Sequence, residues 1–356
     1  MASARLRGIL RDISPRTLVL SAVLVIGGII AAAAAQKADI AALRPQAITV
    51  SAKPFDFDRA NPEQKTFGRL EWRGGLILSS SSEFFGGYSD IALSADGEKL
   101  LMISDAGSWL SATIEHKDGR LSGLGDARIG PIPQKDGRPL QRTRDRDSES
   151  LVALRPGGIE GRYLIGFEGR HRIEEYVFEK GAMRGPVGGI ALPDQLKRMS
   201  RNAGLEGMTM LRGGDHAGAV VAFAERKLTR DGDHTGAMTL AGKSKPLFLK
   251  RHGEFDVVSL AGLKDGSLLI LERSFIRATL KLDTRLRLIE ARDIRPGAML
   301  EGEVLLEAGR SYMIDNFEGV TATEGENGET LITLISDDNF SFFQSTLLAQ
   351  FALKRR

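Results

Sequence analysis

The sequence predicts an all-β protein, a β-propeller of five to six blades preceded by an N-terminal signal or anchor helix. Three observations carry this reading. Short apolar runs recur between Gly, Asp and Asn turns: Leu100-Leu101-Met102-Ile103, Tyr163-Leu164-Ile165, Ala219-Val220-Val221-Ala222-Phe223, Leu268-Leu269-Ile270-Leu271 and Leu331-Ile332-Thr333-Leu334-Ile335. Each fits a buried strand bounded by turns, and no long helical period stands out. Among 356 residues, 41 Gly against 12 Pro suit a chain of many tight turns rather than a Pro-rich linker. The apolar runs, finally, belong to a repeat.

The chain opens with an address. The run from Thr17 to Ala35 carries no charge; Arg5, Arg7, Arg11 and Arg16 precede it and Gln36-Lys37 follow. A positive start, an apolar stretch and small residues in an A-x-A pattern describe a secretory signal cleaved near Ala35. The run is also long enough to span a bilayer as an uncleaved anchor. Both readings of residues 1–36 export the rest, to the periplasm or to the periplasmic side of the inner membrane. No twin-Arg pair marks the folded-protein route. Residues 37–45 read as a linker and 46–356 as one domain.

Five repeats follow. Each opens a strand with an acid, turns at Asp-Gly, Gly-Gly or Asn-Gly, and closes a second strand with another acid. Ser89-Asp90-Ile91 leads to Ile103-Ser104-Asp105. Asp147-Ser148-Glu149 leads to Gly166-Phe167-Glu168. Leu205-Glu206-Gly207 leads to Phe223-Ala224-Glu225. Phe255-Asp256-Val257 leads to Leu271-Glu272, and Asn316-Phe317-Glu318 to Ile335-Ser336-Asp337. The opening acids Asp90, Glu149, Glu206, Asp256 and Glu318 return at nearly regular intervals. A long period with a hairpin at its start marks a radial or stacked β array, because one hairpin cannot bury its own face. Most intervals are somewhat longer than a kelch-type blade of about 50 residues, which allows extended loops. A propeller leaves only short, protected edges. The last repeat stops after Ser345 to Leu353, a strand short. The N-terminal segment Ile48 to Ser80 is placed to supply that strand and close the ring, or to build a sixth blade.

The start of one strand and the end of the next lie on the same edge of an antiparallel hairpin. Asp90, Asp105, Glu149, Glu168, Glu206, Glu225, Asp256, Glu272, Glu318 and Asp337 are therefore expected around one mouth of the axial channel. Such crowding raises carboxyl pKa values or recruits cations. A hard metal such as Ca²⁺ takes six to eight oxygens, and Asn202, Asn316, Asp338 and Asn339 offer more of them. Arginine is the other neutraliser: Arg146, Arg170, Arg226 and Arg273 each lie close in sequence to one of these acids. Pairing of this kind also occurs for structure alone.

Other chemistries find no support. Cysteine is absent, which removes disulfides, thiolate sites and a lipobox anchor. His116, His171, His216, His234 and His252 show no zinc spacing. Arg251-His252-Gly253 reads as a turn before a strand. The net charge of +3 belongs to the N-terminus: without the four arginines and Asp12 of residues 1–35, basic and acidic residues balance. That is no nucleic-acid footprint. Trp72 and Trp109 read as packing residues.

The motifs Gly86-Gly87-Tyr88-Ser89-Asp90, Gly166-Phe167-Glu168-Gly169, Asn316-Phe317-Glu318-Gly319 and Leu334-Ile335-Ser336-Asp337-Asp338-Asn339-Phe340 together resemble the phytase-like family, described as an esterase-like activity of phytase. The likeness covers roughly residues 67 to 353. It implies an exported bacterial propeller, favours six blades, and points to metal-dependent hydrolysis of phosphate or related esters. On that reading the mouth acids hold Ca²⁺, Arg146, Arg170, Arg226 and Arg273 clamp the phosphate, and Glu149 or Glu318 is the general base. Ser-Asp-Ile and Phe-Asp-Val in the first and fourth repeats depart from the Glu-Gly and Glu-Ser of the others, so those blades are expected to contribute less. Two further readings stay open: a non-catalytic periplasmic binding or scaffold propeller, and a lactonase-type propeller hydrolase. The partner in the catalytic readings is a small ester or phosphoester, with no nucleic acid and no membrane contact beyond the anchor.

Overall fold

Four apolar residues in a row make sense in a strand only if both of its faces are covered. Leu100, Leu101, Met102 and Ile103 are all fully buried. Leu100 and Met102 join a core with Leu76, Ile335 and Leu348, whereas Leu101 and Ile103 point the other way, into a core with Ile165 and Phe167. The same division holds for Leu268 and Ile270, packed with Val221 and Phe223, against Leu269 and Leu271, packed with Val320 and Leu334. Each such strand thus lies between two layers of side chains, and burying one leucine fully is worth roughly 1.5–3 kcal/mol.

The computed structural model describes residues 39–200 and 204–354. Among these residues the strands form five antiparallel sheets, the five blades. Blade 1 runs outward from Tyr88–Leu93 through Lys99–Ser104 and Ser108–Lys117 to Arg120–Pro131, with Gln46–Ala47 at its edge. Blade 2 comprises Ser148–Ala153, Gly161–Phe167, Arg172–Glu179 and Ala182–Ile190. Blade 3 comprises Leu205–Met210, Val220–Leu228, His234–Leu240 and Lys243–Leu249, with Met299–Leu300 added in parallel. Blade 4 is Asp256–Gly262, Leu268–Ile276, Lys281–Ile289 and Glu303–Ala308. Blade 5 begins with Asn316–Glu324, Thr330–Asp337 and Thr346–Leu353. The five inner strands pack side by side in a closed ring, with blade 5 against blade 1.

Ring closure comes from the chain's beginning. Leu70–Ser79 pairs antiparallel with Thr346–Leu353, Leu76 opposite Leu348, and Ser51–Phe55 adds outside it. The N-terminal segment is consumed as the missing fourth strand of blade 5. The sixth blade that the resemblance favours is therefore not formed among the described residues, and five is the observed number. Phe57, Trp72 and Phe351 cement the seam, the Trp72 and Phe351 rings lying 4.9 Å apart. Trp109 is fully buried and donates from Nε1 to the Pro131 carbonyl at 3.0 Å.

Within the expected linker, Ile40–Ala42 forms a single 3-10 turn, capped by the Asp39 carboxylate, which accepts from the Ala41 N–H. Ile40 and Leu43 are buried against Ile129, so this stretch packs on blade 1. The signal or anchor reading of residues 1–36 lies outside the described residues. No helix among those described is long and apolar enough to cross a membrane.

Candidate functional site: an acidic mouth built on five bulges

Every inner strand carries a β-bulge at the same place. In blade 1 Tyr88 faces Ser104 and Asp90 faces Ile103, which leaves Ser89 without a partner across the sheet. The corresponding extra residue is Glu149 in blade 2, Glu206 in blade 3, Val258 in blade 4 and Glu318 in blade 5. A bulge twists the strand and re-aims the side chain it carries. Three of the five bulged positions are glutamates, and their carboxylates interact with one another.

On the second strand or at its end, one residue of each blade lies opposite the residue two before the bulge. That position holds Asp105, Glu168, Glu225, Arg273 and Asp337 in blades 1 to 5. The mouth is thus two concentric sets: Glu149, Glu206 and Glu318 inside, and four acids and one arginine around them. Asp147 of blade 2 joins from the strand start, at the end of the short helix Thr143–Arg146. One of its carboxylate oxygens, one of Glu149 and one of Glu168 lie within 4.8 Å of one another. The sequence reading did not place Asp147 among the site acids. The signal was there in the Asp-Ser-Glu spacing, since alternate residues ahead of a bulge can turn to the same side.

The register also explains which expected acids do not join. Asp90 is one residue past the bulge, on the propeller axis. Its counterparts are Ser150, Gly207, Ser259 and Gly319, small because the inner strands come close there. A Cβ on Gly319 would lie 2.9 Å from the Asp90 Cα. Asp90 Oδ1 accepts from Ile91 N–H at 2.9 Å and from Ser259 Oγ at 3.1 Å, and Oδ2 accepts from Leu151 N–H at 2.7 Å. Ser259 Oγ in turn accepts from Val320 N–H. Asp90 therefore ties four blades together across the axis, and burial raises its pKa to about 8. Asp256 sits two residues before its bulge and is held by Arg226 at 2.7 Å and Arg251 at 2.9 Å. Glu272 falls one residue short of the mouth and turns into blade 4. There it makes a bidentate pair with Arg287, both nitrogens at 2.6 Å and both side chains fully buried. These three expected mouth acids are structural neighbours of the site and not members of it.

The arginines divide in the same way. Arg273 takes the place of an acid in the outer set, bonded to Glu318 and Asn316 and 3.5 Å from Glu225. Asn316 Nδ2 also donates to Glu318 at 2.7 Å. Arg226 lies beside Glu225 and reaches Asp256, with more than half of its side chain exposed. Arg170 is equally exposed and lies 3.5 Å from Asp145. Arg146 is buried against Gly107 of blade 1. Of the extra oxygens, Asp338 is consumed by the N–H groups of Gly87 and Phe340 and by Thr346 Oγ1. The Asn339 N–H donates to Asp337 at 2.6 Å. Asn202 lies outside the described residues. Arg251-His252-Gly253 does lead through a turn into blade 4.

The electrostatics follow from burial and crowding. Burial, then the charges of Glu206, Glu318, Asp147 and Asp105, hold the Glu149 pKa well above the carboxylate range. Burial, Glu225, Glu318 and Glu168 do the same to Glu206, against the pull of Arg273. Asp337 is pushed up by burial, Glu318 and Asp105. Glu168 rises to about 7, chiefly by burial, with Gly204 N–H at 2.8 Å and a hydrogen bond shared with Glu206 opposing the shift. Arg273, with Arg226 beside Glu225, cannot neutralise this many carboxylates, so the mouth holds protons or takes up cations.

A family model described as "Phytase-like: Esterase-like activity of phytase" matches residues 83–340. No curated protein matches the chain. Among solved structures, the chain is similar to the β-propeller domain of Cps50 (Swd1) from Myceliophteria thermophila. The identity is 7% over 85% of this chain and 100% of that one, with a TM-score of 0.37.

Proposed function

The chain belongs to the Phytase-like family, and from that premise we propose that it is a Ca²⁺-assisted hydrolase of phosphate esters or related esters, acting at the acidic mouth. The observation that carries the proposal is the meeting of Asp147, Glu149 and Glu168 inside a ring of further acids. This donor set fits the metal: it is all carboxylate oxygen, the type hard cations take, with no sulfur or imidazole within the trio. The raised pKa values of Glu149 and Glu168 are those of groups that a cation would relieve. When bound, Ca²⁺ supplies charge that stabilises phosphoryl or carbonyl oxygens and lowers the pKa of a water.

The chain's own residues divide the remaining work. Glu318 is occupied by Arg273 and Asn316, so its role is to fix that side of the mouth rather than to accept protons. Glu206 shares a hydrogen bond with Glu168 and is the acid best placed to move a proton. With its pKa raised, it gives its proton to the leaving oxygen and regains one from the attacking water, which balances ester plus water to alcohol plus acid. Arg226 and Arg170 are the partly exposed guanidiniums at the rim, suited to hold an incoming phosphate. The apolar run 17–35 behind four arginines supports an exported protein, cleaved or anchored.

The test is hydrolysis of 4-nitrophenyl phosphate and of a 4-nitrophenyl acyl ester, with Ca²⁺ and with chelator. Turnover of at least one substrate that chelation removes is the expected result. No turnover, or equal turnover under both conditions, sinks the reading.

A further inference from the structure

The other end of the propeller is a different environment. A cavity of about 830 Å³ opens between the far ends of the inner strands and the hairpin turns near Ala95, Gly157, Asp265 and Gly328. That volume is in the range of sites that hold small molecules. Its inner wall is apolar, formed by Ile91, Leu151, Leu260 and Val320. These residues adjoin the hydrogen-bonded layer around Asp90, which closes the axis between this cavity and the acids.

The charges here have the opposite sign. Five arginines and lysines line the cavity against three carboxylates. Some of the cations are spoken for: Lys264 pairs with Glu324 at 2.6 Å and Arg69 with Glu303 at 2.8 Å. Arg212 is half-buried, and among the described residues it forms no ion pair. It donates from Nη2 to the Ala153 carbonyl at 2.5 Å and from Nη1 toward Met210 Sδ at 3.8 Å. Burial alone acts on its pKa, downward, with no carboxylate to offset it. A half-buried guanidinium without a counter-ion, beside an apolar wall, is an incomplete ion pair. Arg155 stands exposed at the rim as a second cation. Thr209 Oγ1 accepts from Gly262 N–H at 3.0 Å, which leaves its hydroxyl proton to donate.

We propose that this cavity is a second binding site, for a small organic anion with an apolar body, typified by a medium-chain carboxylate. The carboxylate pairs with Arg212, and the chain lies against Ile91, Leu151, Leu260 and Val320. The site is independent of the hydrolytic reading, since the Asp90 layer separates it from the acids.

Isothermal titration of the full chain with octanoate tests this. Saturable one-to-one binding is expected, roughly tenfold weaker in Arg212→Gln, since a charge-assisted hydrogen bond is worth about that factor. Octanol, which has the chain without the charge, should bind about tenfold more weakly than octanoate. Arg155→Gln, at an exposed position that does not threaten folding, should weaken octanoate by about two- to threefold. Exchanging Ca²⁺ for chelator should leave the affinity unchanged. The proposal fails if octanoate gives no saturable heat, if octanol binds as tightly, or if folded Arg212→Gln binds as well as the parent. Calcium-dependent octanoate binding overturns it too, because it would put the carboxylate at the acidic mouth. Should Arg212→Gln not fold, Arg155→Gln and the octanol comparison decide alone.

Discussion

The two ends of this propeller share the same inner strands and differ in what those strands carry. At one end the strands begin and bulge, and the carboxylates of both sets gather with Arg273 among them and Arg226 beside Glu225. At the other end they run into hairpin connections, and the lining is apolar with a cationic rim. Asp90 and Ser259 stand between, bonded across the axis. The lesson concerns register rather than composition. A bulge adds one residue, and in blades 2, 3 and 5 that residue is a glutamate turned toward the mouth, whereas Val258 of blade 4 packs into the core. An acid one position away is captured by the fold instead, as Asp90 and Glu272 are.

That contrast can be broken in four ways, and the largest effect is expected at the divide itself. Asp90 has a folded pKa of about 8 against 3.8 for an ordinary aspartate. Between those values the folded protein keeps a proton that the unfolded one has lost. Stability is therefore full below about pH 4, falls as pH rises to about 8, and levels above it, a change on the order of several kcal/mol. Denaturant titrations across this range should show the fall, and Asp90→Asn should remove its share of it, the remainder coming from the raised carboxyls of the mouth. An unchanged slope in that variant would mean that the axis carboxyl does not hold a proton.

Next comes the acid that faces inward. Glu272→Gln leaves Arg287 buried without a counter-charge and should cost about 3–5 kcal/mol in chemical denaturation. Any Ca²⁺-induced rise in melting temperature should survive in the folded fraction, since Glu272 lies outside the mouth. Glu149→Gln is the converse case. It should keep the fold, lower Ca²⁺-dependent ester turnover about a hundredfold, and abolish the Ca²⁺ thermal shift. Retained turnover in this variant removes the trio as the metal site. The smallest effect on stability is expected from Glu206→Gln. Without Ca²⁺ at about pH 8 it relieves repulsion and should stabilise the protein by about 0.5–1 kcal/mol. Destabilisation of that size in a melting curve would show that Glu206 is needed for the fold.

Much of the architecture was legible because it rests on local chemistry. Apolar runs such as Leu100 to Ile103 announce strands covered on both faces, Gly-rich turns announce hairpins, and the regular return of an acid at each strand start announces repeated blades. The strand-short C-terminal repeat even pointed to the segment Ile48 to Ser80, within which Leu70–Ser79 is the strand that completes it. The choice between five and six blades was not legible, because the same N-terminal segment satisfies either until its partner strand is known. The mouth was readable in outline: Asp105, Glu149, Glu168, Glu206, Glu225, Glu318 and Asp337 lie at the strand starts and ends of one end of the propeller. Asp90, Asp256 and Glu272 misled because aligning acids by type ignores the bulge. Asp147 went unplaced although the Asp-Ser-Glu spacing carried the signal.

The sequence by itself determined an all-β repeat protein with acids at the hairpin ends, because periodicity and turn chemistry act over short stretches of chain. Only the tertiary structure decided which acids face the mouth, which are bound within the fold, and that a cationic cavity lies at the opposite end. Those outcomes depend on single-residue shifts of register and on neighbours a whole repeat or more away in the chain, where spacing along the sequence holds no information about direction.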